Sequence, residues 1–319
     1  MKRIPAFFRL IRLPNLLMLA LLMVLIRFFL AEPILFSKYG IHLPLTNGWF
    51  VLYLLAVLLI SAAGYIINDY FDIRIDRINK PEKMIIGKTI NRRVAILLHL
   101  VFSVTGLFLG VAVSFKVQNF SVTIIYFLTV LILWFYSSVL KKWFLAGNVV
   151  ISILTALIPL LAFIIELSMI NVEYPENTYD LKDVTYAVLI LSAFAFLLTM
   201  VREIVKDAED IRGDREAGCS TLPVVLGINR TRWITFFLVL ASIVFAGWIA
   251  WELYQLKHMD PLFYYGLLFV MLPLIFLAIV VLRANNEKAF HVASLLSKAI
   301  MIAGIFGLAV MYLSYENVV

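Results

Sequence analysis

Nine apolar runs, each near the length that crosses a bilayer, leave this chain one kind of fold. They cover residues 14–31, 49–68, 94–113, 120–139, 147–166, 184–205, 233–252, 261–282 and 296–315. A spanning helix needs roughly 20 mainly apolar residues, because backbone polar groups in hydrocarbon must pair within the segment. Of the 319 residues, 63% are hydrophobic and only 15% charged, where a soluble domain carries about a quarter charged. The expectation is an all-α polytopic membrane protein. Residues 1–319 are read as a single domain, since no linker or low-complexity tract divides them. Pro159 and Pro273 fall inside runs and predict kinks.

The basic residues give the orientation. With loops alternating across the membrane, 22 of the 27 Lys and Arg fall on one side. They lie in the N-terminal tail, the 69–93 loop, Lys141 and Lys142, the 202–232 segment and the 283–298 loop. Such a bias marks the cytoplasmic face. The N-terminus and both large loops are therefore expected in the cytoplasm and the C-terminus outside, in the cell's inner (plasma) membrane. The segment 166–183, with Glu166, Glu173, Glu176, Asp180 and Asp183, reads as an acidic outer loop. A net charge of +7 suits a basic membrane face and calls for no nucleic-acid partner. A single cysteine, Cys219, excludes an internal disulfide and a cysteine-built zinc site.

Two of these apolar runs end in acid. "AAGYIINDYFDIRIDRINKP" closes the second and "VREIVKDAEDIRGDREAGCSTLP" the sixth. Asp69, Asp72 and Asp76 stand at the same spacing as Asp207, Asp210 and Asp214, with Asn68 opposite Lys206. The match suggests an internally duplicated bundle. On one helix, positions i, i+3 and i+7 share a face, so each stretch is predicted to present three carboxylates in one direction.

That arrangement is costly unless something offsets it. Carboxylates at a helix C-terminus oppose the dipole at roughly 0.3–1 kcal/mol each. Two of them about 4 Å apart repel by about 4 kcal/mol at an effective dielectric near 20. Hard cations such as Mg²⁺ favour these oxygens and are completed by waters and substrate phosphates. The candidate ligands are Asn68, Asp69, Asp72, Asp76, Asp207, Asp210 and Asp214, holding a diphosphate through the metal. The competing explanation is a set of solvated acids paired with Arg74, Arg77, Arg212 and Arg215. Lys80, Lys83 and Lys88, near Gly87, and Lys141 beside Lys142 are candidates for the remaining diphosphate charge. Arg12 and Asn15 join them at the start of the first run. Asn148 is a weaker polar candidate.

"NDYFDIRID" followed by "NKP" resembles the NDxxDxxxD signature of the UbiA superfamily of intramembrane prenyltransferases. "KDAEDIRGD" with a downstream "TLP" resembles that family's second motif. "RLIRLPNLLM" and "FYSSVLKKWFLAGN" are similar as well. The resemblance implies nine transmembrane helices around a central cavity and Mg²⁺ on both motifs. It also implies transfer of a polyprenyl group from its diphosphate to a lipophilic acceptor. Asp72, Asp76, Asp210, Asp214 and Lys206 would carry the catalysis. Tyr65, Tyr70 and Tyr136 would flank an allylic carbocation. Arg202 departs from the family, standing where many members carry tyrosine.

The string "REIVKDAEDIRGDREAG..TLP" most resembles the branch that makes digeranylgeranylglyceryl phosphate, with geranylgeranylglyceryl phosphate as acceptor. Branches that prenylate aromatic quinone precursors are the alternative. An ion-coupled transporter is the rival of another class, but its charges should sit near the bilayer midplane rather than at helix ends.

Overall fold

The computed structural model describes residues 3–79, 81–175, 179–256 and 260–316, and all of its regular structure is helical. In chain order the helices are α1 (Arg3–Leu10), α2 (Leu13–Leu25), α3 (Glu32–Tyr39), α4 (Asn47–Phe71), α5 (Ile73–Asn79), α6 (Arg92–Lys116) and α7 (Phe120–Ser138). They continue as α8 (Ala146–Glu173), α9 (Lys182–Glu209), α10 (Ile211–Glu216), α11 (Leu222–Gln255), α12 (Asp260–Gly266), α13 (Leu272–Arg283) and α14 (Glu287–Glu316). Among the described residues, nine helical stretches are long and apolar enough to cross a membrane, counting α2–α3 and α12–α13 as one each. Wide π-helical turns at Ile26–Ala31 and Leu267–Met271 join the parts of those two stretches. Pro273 follows the second of them and starts α13, whereas Pro159 lies inside α8.

The helices close into a ring. α2 packs on α4, which lies against α6 and α7; α8 and α9 follow, then α11, α13 and α14, and α14 returns to α2. Small residues permit the closest approach. A Cβ on Gly106 of α6 would lie 2.7 Å from Ile60 Cγ1 and 3.2 Å from the Ala56 carbonyl on α4, so only glycine fits. Outward-facing Val104, Phe108, Phe115, Phe237 and Val244 are exposed, as suits a surface that meets lipid rather than water.

One expectation is corrected at the end of the ring opposite the acidic motifs: Glu166 does not belong to the outer loop. Arg27, within the first run as expected, and Glu166 are both buried. They are 3% and 2% exposed and form an ion pair inside the bundle, where Arg27 also donates to the Leu45 carbonyl. Arg27 lies over the Phe50 ring, 5.1 Å from its centroid. The pair ties the π-helical turn after α2 to α8. The run model ended the fifth span at residue 166, but α8 continues to Glu173 and carries Glu166 within it.

Candidate functional site

Both acidic motifs are built the same way, and neither is one continuous helix. α4 ends where the Asp72 N–H bonds the Asn68 carbonyl at 3.0 Å; Asp72 has φ −83° and ψ −2°. The Asp76 N–H then bonds the Asp72 carbonyl at 2.8 Å and opens α5. In the second motif the Asp210 N–H bonds the Lys206 carbonyl at 2.9 Å, with φ −96° and ψ 9°, and the Asp214 N–H bonds the Asp210 carbonyl at 3.2 Å. Each middle aspartate thus stands at a bend, with its neighbours on two different helices. The single helical face predicted from spacing is replaced by a hinged pair.

The two hinges meet. α5 packs on α10. The Asn79 amide donates to the Asp210 carbonyl at 3.0 Å and accepts from the Gly213 N–H at 2.8 Å. A Cβ at Gly213 would come within 2.4 Å of the Asn79 side chain, which explains the glycine inside the second motif.

Around this junction several motif side chains have defined partners. Lys141, in the short turn Leu140–Lys142 after α7, lies 2.6 Å from Asp72 Oδ1 and donates to Asn68 Oδ1 at 3.1 Å. Asn68 Nδ2 donates to Asp72 Oδ2 at 2.9 Å. Arg12 pairs with Asp69 at 2.9 Å and lies over the Tyr65 ring. Asn148 donates to Asp207 at 2.8 Å, and Thr221 to Asp214 at 3.1 Å. Lys206 reaches Glu203 at 3.5 Å.

The proposed pairing of the acids with flanking arginines fails at Arg212, which instead reaches Glu216. Asn15 accepts from Lys298 at 2.8 Å, and exposed Lys88 folds back on the Pro81 carbonyl at 2.6 Å. Lys80 and the side chain of Lys83 lie outside the described residues.

Burial pushes the Asp214 carboxyl up to about 6; the Thr221 hydrogen bond opposes this, and the charges of Asp210 and Asp72 push the same way. The negative charges of the two motifs therefore act on one another. Burial likewise pulls the Lys141 ammonium below its usual range, against the attraction of Asp72.

The donor set is all oxygen, carboxylate and amide, which fits a hard divalent cation. Among the described residues, no three acidic, histidine or cysteine side chains converge tightly enough to enclose an ion. Mg²⁺ keeps several waters and is usually held by one or two carboxylates plus substrate phosphates.

A cavity of about 740 Å³ opens beside the motifs and runs between the helices toward the opposite end. Arg12, Asn15, Tyr65, Asn68, Tyr136, Arg202, Glu203, Lys206 and Lys298 line its motif end. Leucines, isoleucines and Phe194 line the middle, and Asp183 and Glu252 the far end. Tyr70, expected at the cavity, packs edge-on against Phe71, while Tyr126 does line it. Sequence reading missed Glu203, Lys298 and Asn79. Glu203 stood beside one motif and Asn79 in the "NKP" after the other, while Lys298 acquires meaning only from distant chain.

A ring of membrane helices around an apolar cavity, with acids and cations gathered at one end, defines an integral membrane protein built to present a lipid chain to a polar centre. Residues 15–312 match the UbiA prenyltransferase family, and the chain belongs to that family. It is a membrane prenyltransferase. The digeranylgeranylglyceryl phosphate synthase of Thermococcus gammatolerans is 31% identical over 80% of this chain and 83% of its own length. The enzyme of that name from Methanothermobacter thermautotrophicus is 33% identical over 80% and 79%. A solved UbiA homologue from Archaeoglobus fulgidus, bound to GPP and Mg²⁺, shares the fold. It has a TM-score of 0.55 and 18% identity over 95% of this chain and 99% of its own.

Proposed function

We propose that the chain transfers a polyprenyl group, geranylgeranyl in the first instance, from its diphosphate to the hydroxyl of a lipid acceptor, with Mg²⁺ at the two motifs. The observation that carries this reading is the Asn79 bridge, which joins the first motif's helix α5 to the second motif's Asp210 and Gly213. Asn68, Asp69, Asp72, Asp76, Asp207, Asp210 and Asp214 are the groups that would hold the metal. When bound, Mg²⁺ supplies charge neutralisation to the departing diphosphate.

The chain's own residues do the rest. Lys141, already at Asp72, and Arg12, at Asp69, lie where diphosphate oxygens would replace carboxylate as partners. Lys206 stands beside the second motif in the cavity wall. The C–O bond of the donor breaks with its electron pair leaving on diphosphate. The acceptor oxygen then bonds the allylic carbon and gives its proton to the released diphosphate or water. Tyr65, Tyr126 and Tyr136 line the cavity where ring faces can favour the cation, and the apolar walls exclude water.

A glyceryl phosphate lipid is the favoured acceptor over an aromatic quinone precursor, because the archaeal relatives carry that name. The basic bias supports a cytoplasmic N-terminus and motif end. A panel of donors and acceptors, read by product mass spectrometry with the purified protein, tests the assignment. Asp72→Ala and Asp210→Ala should each abolish transfer in protein that still folds. No product from any prenyl diphosphate would refute the reading, and retained activity in either variant would remove that motif from it.

A further inference from the structure

The motif end of the cavity gathers basic side chains from several helices. Four basic side chains line it: Arg12, Arg202, Lys206 and Lys298. Arg12 is committed to Asp69 at 2.9 Å. Arg202 and Lys206 share one acid, Glu203, at 2.6 and 3.5 Å. The Lys298 ammonium donates to the neutral amide of Asn15 at 2.8 Å. Its charged neighbours are Arg202 and Arg12, and both repel it. The Lys298 ammonium thus has a neutral hydrogen-bond partner and like charges beside it.

Like charges gathered in a low-dielectric cavity repel strongly. They are a stable arrangement when an anion lies between them. Arg202 on α9 and Lys298 on α14 come from adjacent helices; Arg202 pairs with Glu203 and Lys298 donates to Asn15. A guanidinium fork beside an ammonium and an amide is suited to phosphate oxygens, and a phosphomonoester carries about −1.5 to −2 at neutral pH.

We infer that Arg202 and Lys298, with Asn15, form a second anion site that binds the phosphomonoester head of the acceptor lipid, separate from the motifs that take the donor diphosphate. The inference rests on the proposed transfer to a lipid acceptor and names that acceptor's chemical class. Arg202, the residue that departs from the family pattern, becomes a specificity determinant. The acceptor's chain then shares the apolar cavity with the donor's.

The test uses the full chain in lipid nanodiscs with Mg²⁺ and geranylgeranyl diphosphate. It compares geranylgeranylglyceryl phosphate with its dephosphorylated alcohol, for the wild type, Arg202→Gln and Lys298→Gln. Expected are KM values for the phosphorylated acceptor raised at least tenfold in both variants. The donor KM, the melting temperature and the low activity on the alcohol should stay unchanged, and Arg202→Lys should recover part of the loss. Equal wild-type use of the two acceptors, or variants that leave the acceptor KM unaltered or raise the donor KM as much, would overturn the inference while leaving prenyl transfer intact.

Equilibrium binding of the phosphorylated lipid without donor provides an independent readout. Binding lost in both variants supports the site even where no acceptor turns over, an outcome that would count against the transfer reading alone. No lipid binding by the wild type, or inorganic phosphate competing as well as the lipid, overturns it.

Discussion

Asn79 clasps Gly213 across the two acidic motifs: its side-chain carbonyl accepts the glycine N–H at 2.8 Å, and its amide donates to Asp210 at 3.0 Å. A side chain at residue 213 would occupy the space that Asn79 fills. The contact holds the two hinged ends of α4 and α9 at one place, and their carboxylates with them.

Asn79→Ala leaves the Asp210 carbonyl and the Gly213 N–H without this partner, a loss of about 1–3 kcal/mol where water cannot substitute. Gly213→Ala should be the more damaging single change to transfer, because the clash separates the motifs. The two are coupled: in the Asn79→Ala background the added methyl finds room. A double-mutant cycle on kcat/KM should show the second change costing less in that background, and strict additivity would argue against the contact.

Lys141 lies 2.6 Å from Asp72 in the first motif. Lys141→Met removes the ammonium from Asp72 and Asn68 and should cut kcat by about a hundredfold, as for loss of a preorganised donor. Arginine should restore little, since the site was shaped around a compact charge. Steady-state kinetics at saturating Mg²⁺ checks this.

The Asp214 carboxyl, pushed up to about 6 by burial and by Asp210 and Asp72, gives a pH signature. In the metal-free fold it binds a proton more readily than in the unfolded chain, whose aspartates titrate near 4. Stability of the metal-free protein should therefore fall as pH rises from about 4 to about 6 and then level off. Mg²⁺ competes with that proton, so its apparent affinity should weaken below about pH 6. Thermal unfolding in EDTA and Mg²⁺ titrations across this range provide the measurement, and Asp214→Asn should flatten both profiles.

At the other end of the bundle, Arg27 and Glu166 are buried together. Glu166→Gln or Arg27→Met strands one charge and should cost about 3–5 kcal/mol, whereas replacing both with apolar residues should cost less. Thermal unfolding in detergent reads the difference. Transfer at low temperature should be little altered, because the pair lies far along the helices from the motifs.

The amino-acid sequence alone determined that the chain is a helical membrane bundle, because hydrocarbon forces each apolar run to pair its own backbone. It also marked the acids, since identical spacing at the ends of two runs is a local property that survives any packing. What it left open depended on chain far away. Spacing suggested one helical face per motif, but Asp72 and Asp210 each stand at a bend whose geometry follows from α5 packing on α10. Glu166 looked like a loop acid until its helix proved longer and Arg27 lay opposite.

Asn79 stands in the "NKP" after the first motif, yet neither its partners nor those of Lys298 can be read from composition or period. Tertiary structure alone decided those roles, because a hydrogen bond or a repulsion between residues over a hundred positions apart exists only after the ring of helices has closed.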